Sequence, residues 1–223
     1  MNETLLDRIE IDPPGPARGT VIWLHGLGAD GHDFEPLVRQ WDLVERHAVR
    51  FVLPHAPPRP VTINGGMVMR AWYDIHDVDF VHHEDEAGIR RSQHQLELLI
   101  AAETGHGVPA DRIVLAGFSQ GGAIALQAGL RHDRPLAGIL ALSTYLPLAS
   151  TLDAEMNPLQ CATPIRMDHG ERDPLVPLAL ARQSAQYLSE RGFEVEFHTY
   201  DMEHSLCPPQ IDSLYDWFVR RLG

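Results

Sequence analysis

The sequence predicts an α/β fold built on a mostly parallel sheet with helices on both faces. Short apolar runs recur along the 223 residues and alternate with segments that carry apolar residues at helical spacing. This alternation is typical of parallel strands joined by helices that cover the sheet on both sides. A serine flanked by glycines also lies between one apolar run and the next helical segment. No repeat, low-complexity tract or linker divides the chain, so we expect one domain over residues 1–223.

Residues 117–121 read Gly-Phe-Ser-Gln-Gly, between the apolar run 113–116 and the small-residue helical segment 122–126. The pattern Gly-x-Ser-x-Gly also occurs in ordinary loops, but the strand before it and the helix after it are the context of a nucleophile elbow. The two glycines leave room for a tight turn that places Ser119 beside a helix N-terminus, where free amides favour negative charge. The pattern therefore predicts acyl transfer with Ser119 as the nucleophile.

A serine nucleophile needs a histidine base and a carboxylate that orients the histidine, and this scaffold places them later in the chain, carboxylate first. The predicted strand 165–169 ends at Gly170, and Asp173 follows on the loop. Asp173 is the candidate acid, Glu171 is its nearest rival, and Asp168 lies within the strand. The alternative is that Asp173 only caps the helix predicted around residues 177–191.

The candidate base is His204, which follows the alternating run 193–200 that predicts a strand. Of the thirteen histidines, His204 has the required order and loop position. Pro208 then opens a last amphipathic helix. Its apolar face carries Ile211, Leu214, Tyr215, Phe218 and Leu222.

The glycine-rich residues 25–28 after the apolar strand 20–24 predict an oxyanion hole. Its two donors would be the backbone amides of Leu27 and of Gln120, the residue after the nucleophile. The alternative is a plain glycine turn. Because the donors are backbone groups, we expect substitution of these two side chains to test them poorly.

Composition excludes several other classes of function. The net charge of −13 and the absence of lysine argue against nucleic acid as a partner. The absence of lysine also excludes Ser-Lys and Schiff-base catalysis. No apolar run is long enough to cross a bilayer, no secretory signal is visible, and two cysteines do not make a disulfide framework, so we expect a cytoplasmic protein. Cys207 lacks an elbow and is a weak rival nucleophile. We predict no metal site at residues 82–85 (His-His-Glu-Asp), because contiguous ligands seldom face one ion.

Taken together, four motifs are similar to those of the carboxylesterase and acyl-protein thioesterase branch of the α/β-hydrolases, also described as phospholipase/carboxylesterase-like. The motifs are residues 25–32, residues 117–123, His169-Gly170 with residues 173–177, and Met202 with His204-Ser205. The stretches 54–57 and 72–75 resemble the same family. The resemblance runs from about Gly19 to the C-terminus, and it departs at Asp201, where the family usually has glycine.

The resemblance implies an α/β-hydrolase fold without a large cap domain, and a serine hydrolase that cleaves carboxylic esters of small or medium acyl chains through an acyl-enzyme, without a cofactor. It also implies that Ser119 is the nucleophile, Asp173 the orienting acid and His204 the base. The backbone amides of Leu27 and Gln120 would form the oxyanion hole. The alternatives are a thioesterase acting on acylated proteins or lysophospholipids, a small peptidase and, with less support, a catalytically silent binding protein. Related small hydrolases often pair, so a homodimer is one expected state, although no sequence feature requires it.

The substrate pocket is the part of the site that the sequence defines least. In the family, the region that corresponds to residues 60–71 borders the acyl pocket, so Met67, Val68 and Met69 either line that groove or pack beneath the loop. The other apolar candidates are Trp72, Leu146, Leu148, Leu175 and Val176.

Overall fold

The computed structural model describes residues 4–77 and 83–223. In this part of the chain the strands are β1 (Arg8–Ile11), β2 (Gly19–Leu24), β3 (Val49–Pro54), β4 (Pro58–Val61), β5 (Met67–Arg70), β6 (Ile113–Phe118), β7 (Gly138–Leu142), β8 (Ile165–Gly170) and β9 (Val195–Tyr200). The helices are α1 (Glu35–Gln40), α2 (Leu43–His47), α3 (Glu86–Gly105), α4 (Gln120–Gly129), α5 (Ala149–Glu155), α6 (Leu178–Ser189) and α7 (Pro208–Leu222).

Seven of these strands form one sheet in the order β1-β3-β2-β6-β7-β8-β9. All neighbours in it are parallel except β1, which pairs antiparallel with β3 at one edge. The mostly parallel sheet predicted from the sequence is therefore confirmed, and the antiparallel edge strand is an addition to it.

Helices cover the sheet on both faces. Side chains alternate along each strand, so Ile22 of β2 faces one core while Trp23 faces the other. Helices α3, α4 and α6 pack on the first core, and α1, α2 and α7 pack on the second. On α7 the residues that are fully buried include Leu214, Trp217, Phe218 and Leu222. The predicted apolar face is thus correct in position, but it also includes Trp217. Ile211 and Tyr215, which were predicted to lie on it, are only partly buried.

Residues 60–71, which the sequence analysis treated as a loop, contain regular secondary structure. Strands β4 and β5 pair as an antiparallel hairpin with Pro58 opposite Arg70 and Val61 opposite Met67. Its tip contains Gly65 and Gly66, both with positive φ (66° and 78°), where a side chain would strain the backbone. The hairpin connects back to the main sheet through the Gly28 amide, which donates to the Arg70 carbonyl at 2.9 Å.

The loops that follow β2, β6, β8 and β9 meet at the carboxyl edge of the sheet, the usual position of binding sites in parallel sheets. All the predicted catalytic residues lie on these loops. Within the described residues, no helix has both the length and the apolar character needed to cross a membrane.

Candidate active site

Ser119 lies at a sharp turn between β6 and α4. Its backbone has φ 54° and ψ −120°, a conformation that costs a non-glycine residue free energy. The turn is fixed from the neighbouring strand, because the Ser119 amide donates to the Leu142 carbonyl at 2.8 Å. Strain of this kind at the junction of a strand and a helix is the geometry of a nucleophile elbow.

The glycines on either side of Ser119 are required by backbone contacts. A Cβ added to Gly117 would lie 2.2 Å from the Gly121 carbonyl oxygen. A Cβ added to Gly121 would lie 2.4 Å from the Leu24 carbonyl oxygen and 2.6 Å from that of His25. These contacts are with backbone atoms, so they cannot be relieved by a side-chain rotation. The sequence motif thus has a direct steric cause.

His204 and Asp173 are joined by a short hydrogen bond. His204 Nδ1 lies 2.6 Å from Asp173 Oδ2, and the Asp173 side chain is fully buried. The other carboxylate oxygen accepts from the backbone amides of Leu175 at 2.8 Å and Val176 at 2.9 Å. With both oxygens engaged, the carboxylate has a fixed orientation toward the imidazole, which is the arrangement that holds one tautomer of a catalytic histidine.

A second histidine lies against the same carboxylate. His169 Nε2 is 2.9 Å from the Val176 carbonyl oxygen and 3.4 Å from Asp173 Oδ2. Burial lowers the pKa of His169, which favours the neutral ring. A neutral His169 that donates to Val176 supports the loop around Asp173 without competing for its charge.

The two rival carboxylates have other partners. Asp168 forms a buried bidentate pair with Arg166, with distances of 2.8 and 2.9 Å. Glu171 is exposed and accepts from the Thr199 hydroxyl at 2.9 Å. The capping alternative for Asp173 also has less support, because α6 begins at Leu178 after Pro177 and has no side-chain cap.

The loop that carries His204 packs against Gly170 at the end of β8. A Cβ on Gly170 would lie 2.3 Å from the Glu203 carbonyl oxygen, so only glycine allows this approach. Asp201, the departure from the family pattern, forms a surface ion pair with Arg172 at 2.9 Å. Asp201 is not among the residues with positive φ, so this turn does not need glycine there.

The loop after β2 lies beside Ser119. A Cβ on Gly26 would be 3.6 Å from Ser119 Cβ, and the carbonyl oxygen of Gly26 is 2.7 Å from His25 Nδ1. Because the Ala56 amide donates to His25 Nε2 at 3.0 Å, the proton of the ring is on Nδ1, which donates to Gly26. Burial lowers the pKa of His25 to about 4, which keeps the ring neutral.

This contact fixes the direction of the Leu27 amide. The Gly26 carbonyl and the Leu27 N–H belong to one trans peptide and point in opposite directions. With the carbonyl held by His25, the N–H of Leu27 points away from that ring. In the described part of the chain, neither the Leu27 nor the Gln120 amide has a protein acceptor, so both are available to a ligand.

The Gln120 side chain also has a structural role that the sequence did not reveal. Its Oε1 accepts from the Trp72 amide at 2.7 Å, and its Nε2 donates to the Tyr73 carbonyl at 2.7 Å. The Trp72 indole in turn donates to the His25 carbonyl at 2.8 Å. These contacts connect the residue after Ser119 with the loop of Leu27. Contrary to the expectation from the sequence, substitution at Gln120 would perturb more than its amide.

Ser119 and His204 open into one cavity of about 580 Å³, here named the serine cavity. Its walls are largely apolar, and the Phe118 ring lies 4.8 Å from the His204 ring. The apolar side chains of the lining are those of Leu27, Ala29, Ile63, Ile75, Phe118, Pro174, Leu175 and Val176.

The structure brings few of the predicted pocket residues to this cavity. Val176 and Leu175 line it. Met67 and Val68 are 64% exposed on the hairpin, and the Sδ atom of Met69 accepts a hydrogen bond from the side-chain amide of Asn64 at 3.3 Å. The remaining three are buried in the core away from the lining, namely Trp72, Leu146 and Leu148.

Several lining residues were missed by sequence reasoning. Phe118 lies within the elbow motif itself, next to Ser119, so its position was available as a signal. Ile63 and Ile75 are brought together by a backbone hydrogen bond of 2.8 Å between distant residues, which no local pattern indicates.

The sequence offered two other chemical candidates, the cysteines and residues 82–85. Cys161 and Cys207 are free and partly buried. The predicted absence of a metal site concerned residues 82–85, of which His82 lies outside the described residues. In the segments 4–77 and 83–223, no group of three or more His, Cys, Asp or Glu side chains is arranged to hold a metal ion.

Comparison with known proteins assigns the chain to one family. The sequence model of the phospholipase/carboxylesterase family matches residues 8–220. Acyl-protein thioesterase 1 of Neurospora crassa is 46% identical, with 94% of this chain and 90% of that protein covered. The protein of the same name from Schizosaccharomyces pombe is 39% identical, with coverage of 89% and 91%.

Solved structures that are similar to this chain identify its fold. Arabidopsis thaliana SOBER1 superposes with a TM-score of 0.86 at 31% identity, covering 93% of this chain and all of that chain. Zea mays acyl-protein thioesterase 2 superposes with a TM-score of 0.86 at 28% identity, covering 98% of this chain and all of that chain. The fold is therefore that of the α/β-hydrolases, with no large cap in the described residues. The chain belongs to the phospholipase/carboxylesterase family and is a hydrolase of esters or thioesters.

Proposed function

We propose that Ser119, His204 and Asp173 form a catalytic triad through which this protein hydrolyses carboxylic esters and thioesters. The observation that carries the proposal is the 2.6 Å hydrogen bond between Asp173 and His204, made by an imidazole that lines the same cavity as Ser119. The strained backbone of Ser119 is a second, independent support.

The reaction follows from the roles of these groups. His204 removes the proton of the Ser119 hydroxyl as its oxygen attacks the acyl carbon. The amides of Leu27 and Gln120 stabilise the oxyanion of the tetrahedral intermediate. His204 then protonates the departing alcohol or thiol. A water molecule, deprotonated by the same imidazole, attacks the acyl-enzyme and releases the carboxylic acid and Ser119.

The serine cavity supports a substrate with an apolar acyl group. Its volume of about 580 Å³ exceeds what an acetyl group fills, and its lining side chains are mostly apolar. No ionisable side chain other than those of Asp33 and His204 lines it among the described residues. Small and medium acyl chains therefore fit this space.

The second candidate function is hydrolysis of acylated proteins or lysophospholipids. The relatives named acyl-protein thioesterase 1 favour it, since the similarity covers most of both chains. A shared triad serves esters and thioesters alike, so the choice depends on which leaving groups reach His204.

The test is turnover of a p-nitrophenyl acyl ester by the wild type and by Ser119→Ala. We expect the variant to retain its fold and lose turnover, since the nucleophile is gone. Near-normal turnover in the variant would refute the assignment of Ser119 as the nucleophile.

A fluorophosphonate probe that fails to label Ser119 would instead favour a silent binding protein. A matrix of acyl lengths against ester and thioester leaving groups then separates the two candidate functions.

A further inference from the structure

A second cavity adjoins the serine cavity at His204. Its volume is about 510 Å³, and it lies between α1 and the start of α7. Here it is named the flanking cavity. The two cavities share three residues, Asp33, Phe118 and His204. Ser119 lines only the serine cavity, whereas His204 lines both.

This division matches the two halves of an acyl substrate. The bond to Ser119 forms at the acyl carbon, so the acyl group occupies the cavity that Ser119 lines. The leaving group takes its proton from His204, so it departs beside the imidazole. The flanking cavity adjoins that imidazole and offers polar groups that an acyl chain does not need, among them Gln40 and Ser205.

The shared residue Asp33 gives the junction a negative charge. In the described part of the chain its carboxylate has no hydrogen bond or ion pair. Burial and the neighbouring Asp30 raise the pKa of Asp33, as expected for a carboxylate that is partly removed from water and lacks a cation. No arginine lines either cavity within the described residues. A positive group on a bound substrate would supply the missing partner.

A position near the start of α1 is an alternative reason for an acidic residue, because acids stabilise helix N-termini. Glu35 already serves the first turn of that helix, where it is paired with Arg39 and His32. A purely structural role for Asp33 would affect stability but would not discriminate between charged and neutral substrates. The two explanations therefore differ in a measurable quantity.

We propose that the flanking cavity binds the leaving group of the substrate and that Asp33 selects leaving groups that carry a positive charge. The preferred substrates are thus acyl esters or thioesters with a cation close to the ester oxygen or thioester sulfur. This inference rests on the proposed function, since it assigns the two sides of the same site. The overall charge of −13 attracts such substrates as well, but it does so without distinguishing Asp33 from other acids.

The first experiment compares two thioesters with the same butyryl group. One is butyrylthiocholine, and the other is its neutral isostere, in which a carbon atom replaces the quaternary nitrogen. We expect the wild type to prefer the cation in kcat/KM by about fivefold at low salt, the upper range for a partly exposed ion pair. The ratio should fall close to one in Asp33→Asn and should shrink in the wild type at high salt.

The matched control is Asp111→Asn, which removes the same charge from an exposed position in the turn before β6. It should keep the preference of the wild type. An unchanged ratio in Asp33→Asn, or no preference in the wild type, would overturn the proposal. If the wild type hydrolyses neither thioester, the proposed function itself fails. If it hydrolyses both at equal rates, only the role of Asp33 fails.

The second experiment tests which cavity takes which half of the substrate. Gln40→Trp narrows the flanking cavity, and Ile63→Trp narrows the serine cavity. We expect Gln40→Trp to raise KM for bulky leaving groups while sparing long acyl chains with a small leaving group. Ile63→Trp should show the opposite pattern. Interchanged patterns would overturn the assignment of the two cavities.

Discussion

The side chain of Gln120 holds the backbone of Trp72, with Oε1 accepting from the Trp72 amide at 2.7 Å. Both residues are buried, and Nε2 of the same side chain donates to the next carbonyl, that of Tyr73, at 2.7 Å. Since the Trp72 indole donates to the His25 carbonyl, the elbow and the loop of Leu27 belong to one hydrogen-bonded unit. The residue that follows the proposed nucleophile thus supports the surrounding structure with its side chain, in addition to the role proposed for its backbone amide.

Replacement of Gln120 by alanine should therefore destabilise the protein. It leaves a buried N–H and a buried carbonyl without partners, at a cost of about 2–4 kcal/mol in the free energy of unfolding. Urea unfolding measures this cost. The control is Gln186→Ala, whose amide bonds only the exposed Glu190 at 2.8 Å and which should change stability by less than about 0.5 kcal/mol. Equal effects of the two substitutions would contradict the role given to Gln120.

Asp173→Asn tests the identity of the acid. Asparagine can keep the contacts with the amides of Leu175 and Val176, but it no longer stabilises the protonated His204. We expect kcat to fall by about 10⁴. The matched variant Glu171→Gln, which loses only the charge beside Thr199, should keep nearly full activity. Greater loss in Glu171→Gln would show that the wrong acid was chosen.

The stability of the protein should depend on pH through His25. Burial lowers the pKa of His25 to about 4, against an ordinary value of 6.5 for a histidine. Between these values the unfolded chain binds a proton that the folded chain does not, so His25 makes stability fall as pH falls. The free energy of unfolding should decrease by about 2 kcal/mol from this group between about pH 7 and about pH 5.

Glu84 has the opposite effect on the pH dependence of stability, because burial raises its pKa to about 7. The contribution of His25 must therefore be isolated with a variant. We expect His25→Asn to be less stable than the wild type at neutral pH, because asparagine cannot bridge Gly26 and Ala56 as the ring does. The difference in unfolding free energy between it and the wild type should narrow toward about pH 5. A difference that is independent of pH would mean that His25 is not a neutral buried ring.

Gly121→Ala tests the steric cause of the elbow motif. Its Cβ would lie 2.4 Å from the Leu24 carbonyl oxygen, so the turn at Ser119 must move. We expect a loss of both stability and kcat. Gly105→Ala is the control, because its added Cβ would have no atom within 4 Å apart from its chain neighbours and the backbone of its own helix. It should be neutral or stabilising by about 0.4–1 kcal/mol. Tolerance of alanine at both positions would contradict the packing described for the elbow.

Sequence reasoning succeeded where local pattern and chemistry coincide. The elbow at Ser119 could be predicted because a strand, a glycine-lined turn and a helix are each visible over a few residues. The loop positions of Asp173 and His204 followed from the fixed order of the scaffold. By contrast, β1 was missed because it is only four residues long, so the alternation of Arg8, Ile9, Glu10 and Ile11 is too short to indicate a strand by itself.

The pocket could not be predicted in the same way because apolar character does not tell core from cavity. Trp72 and Leu148 are apolar for packing reasons, while Ile63 lines the serine cavity. Asp33 carried no signal in the sequence, since its significance depends on two cavities that meet only in the folded protein. Pairings between distant segments, such as that of Gln120 with Trp72, are likewise set by the tertiary fold.

The most direct test of the central claim is to identify the residue that carries the acyl group during turnover. The protein would be mixed with a p-nitrophenyl acyl ester, quenched with acid during the first turnover, digested and mapped by mass spectrometry. We expect a single acyl adduct on the peptide that contains Ser119, and none in Ser119→Ala. An adduct on Cys207, or turnover without any adduct in the wild type, would contradict the account.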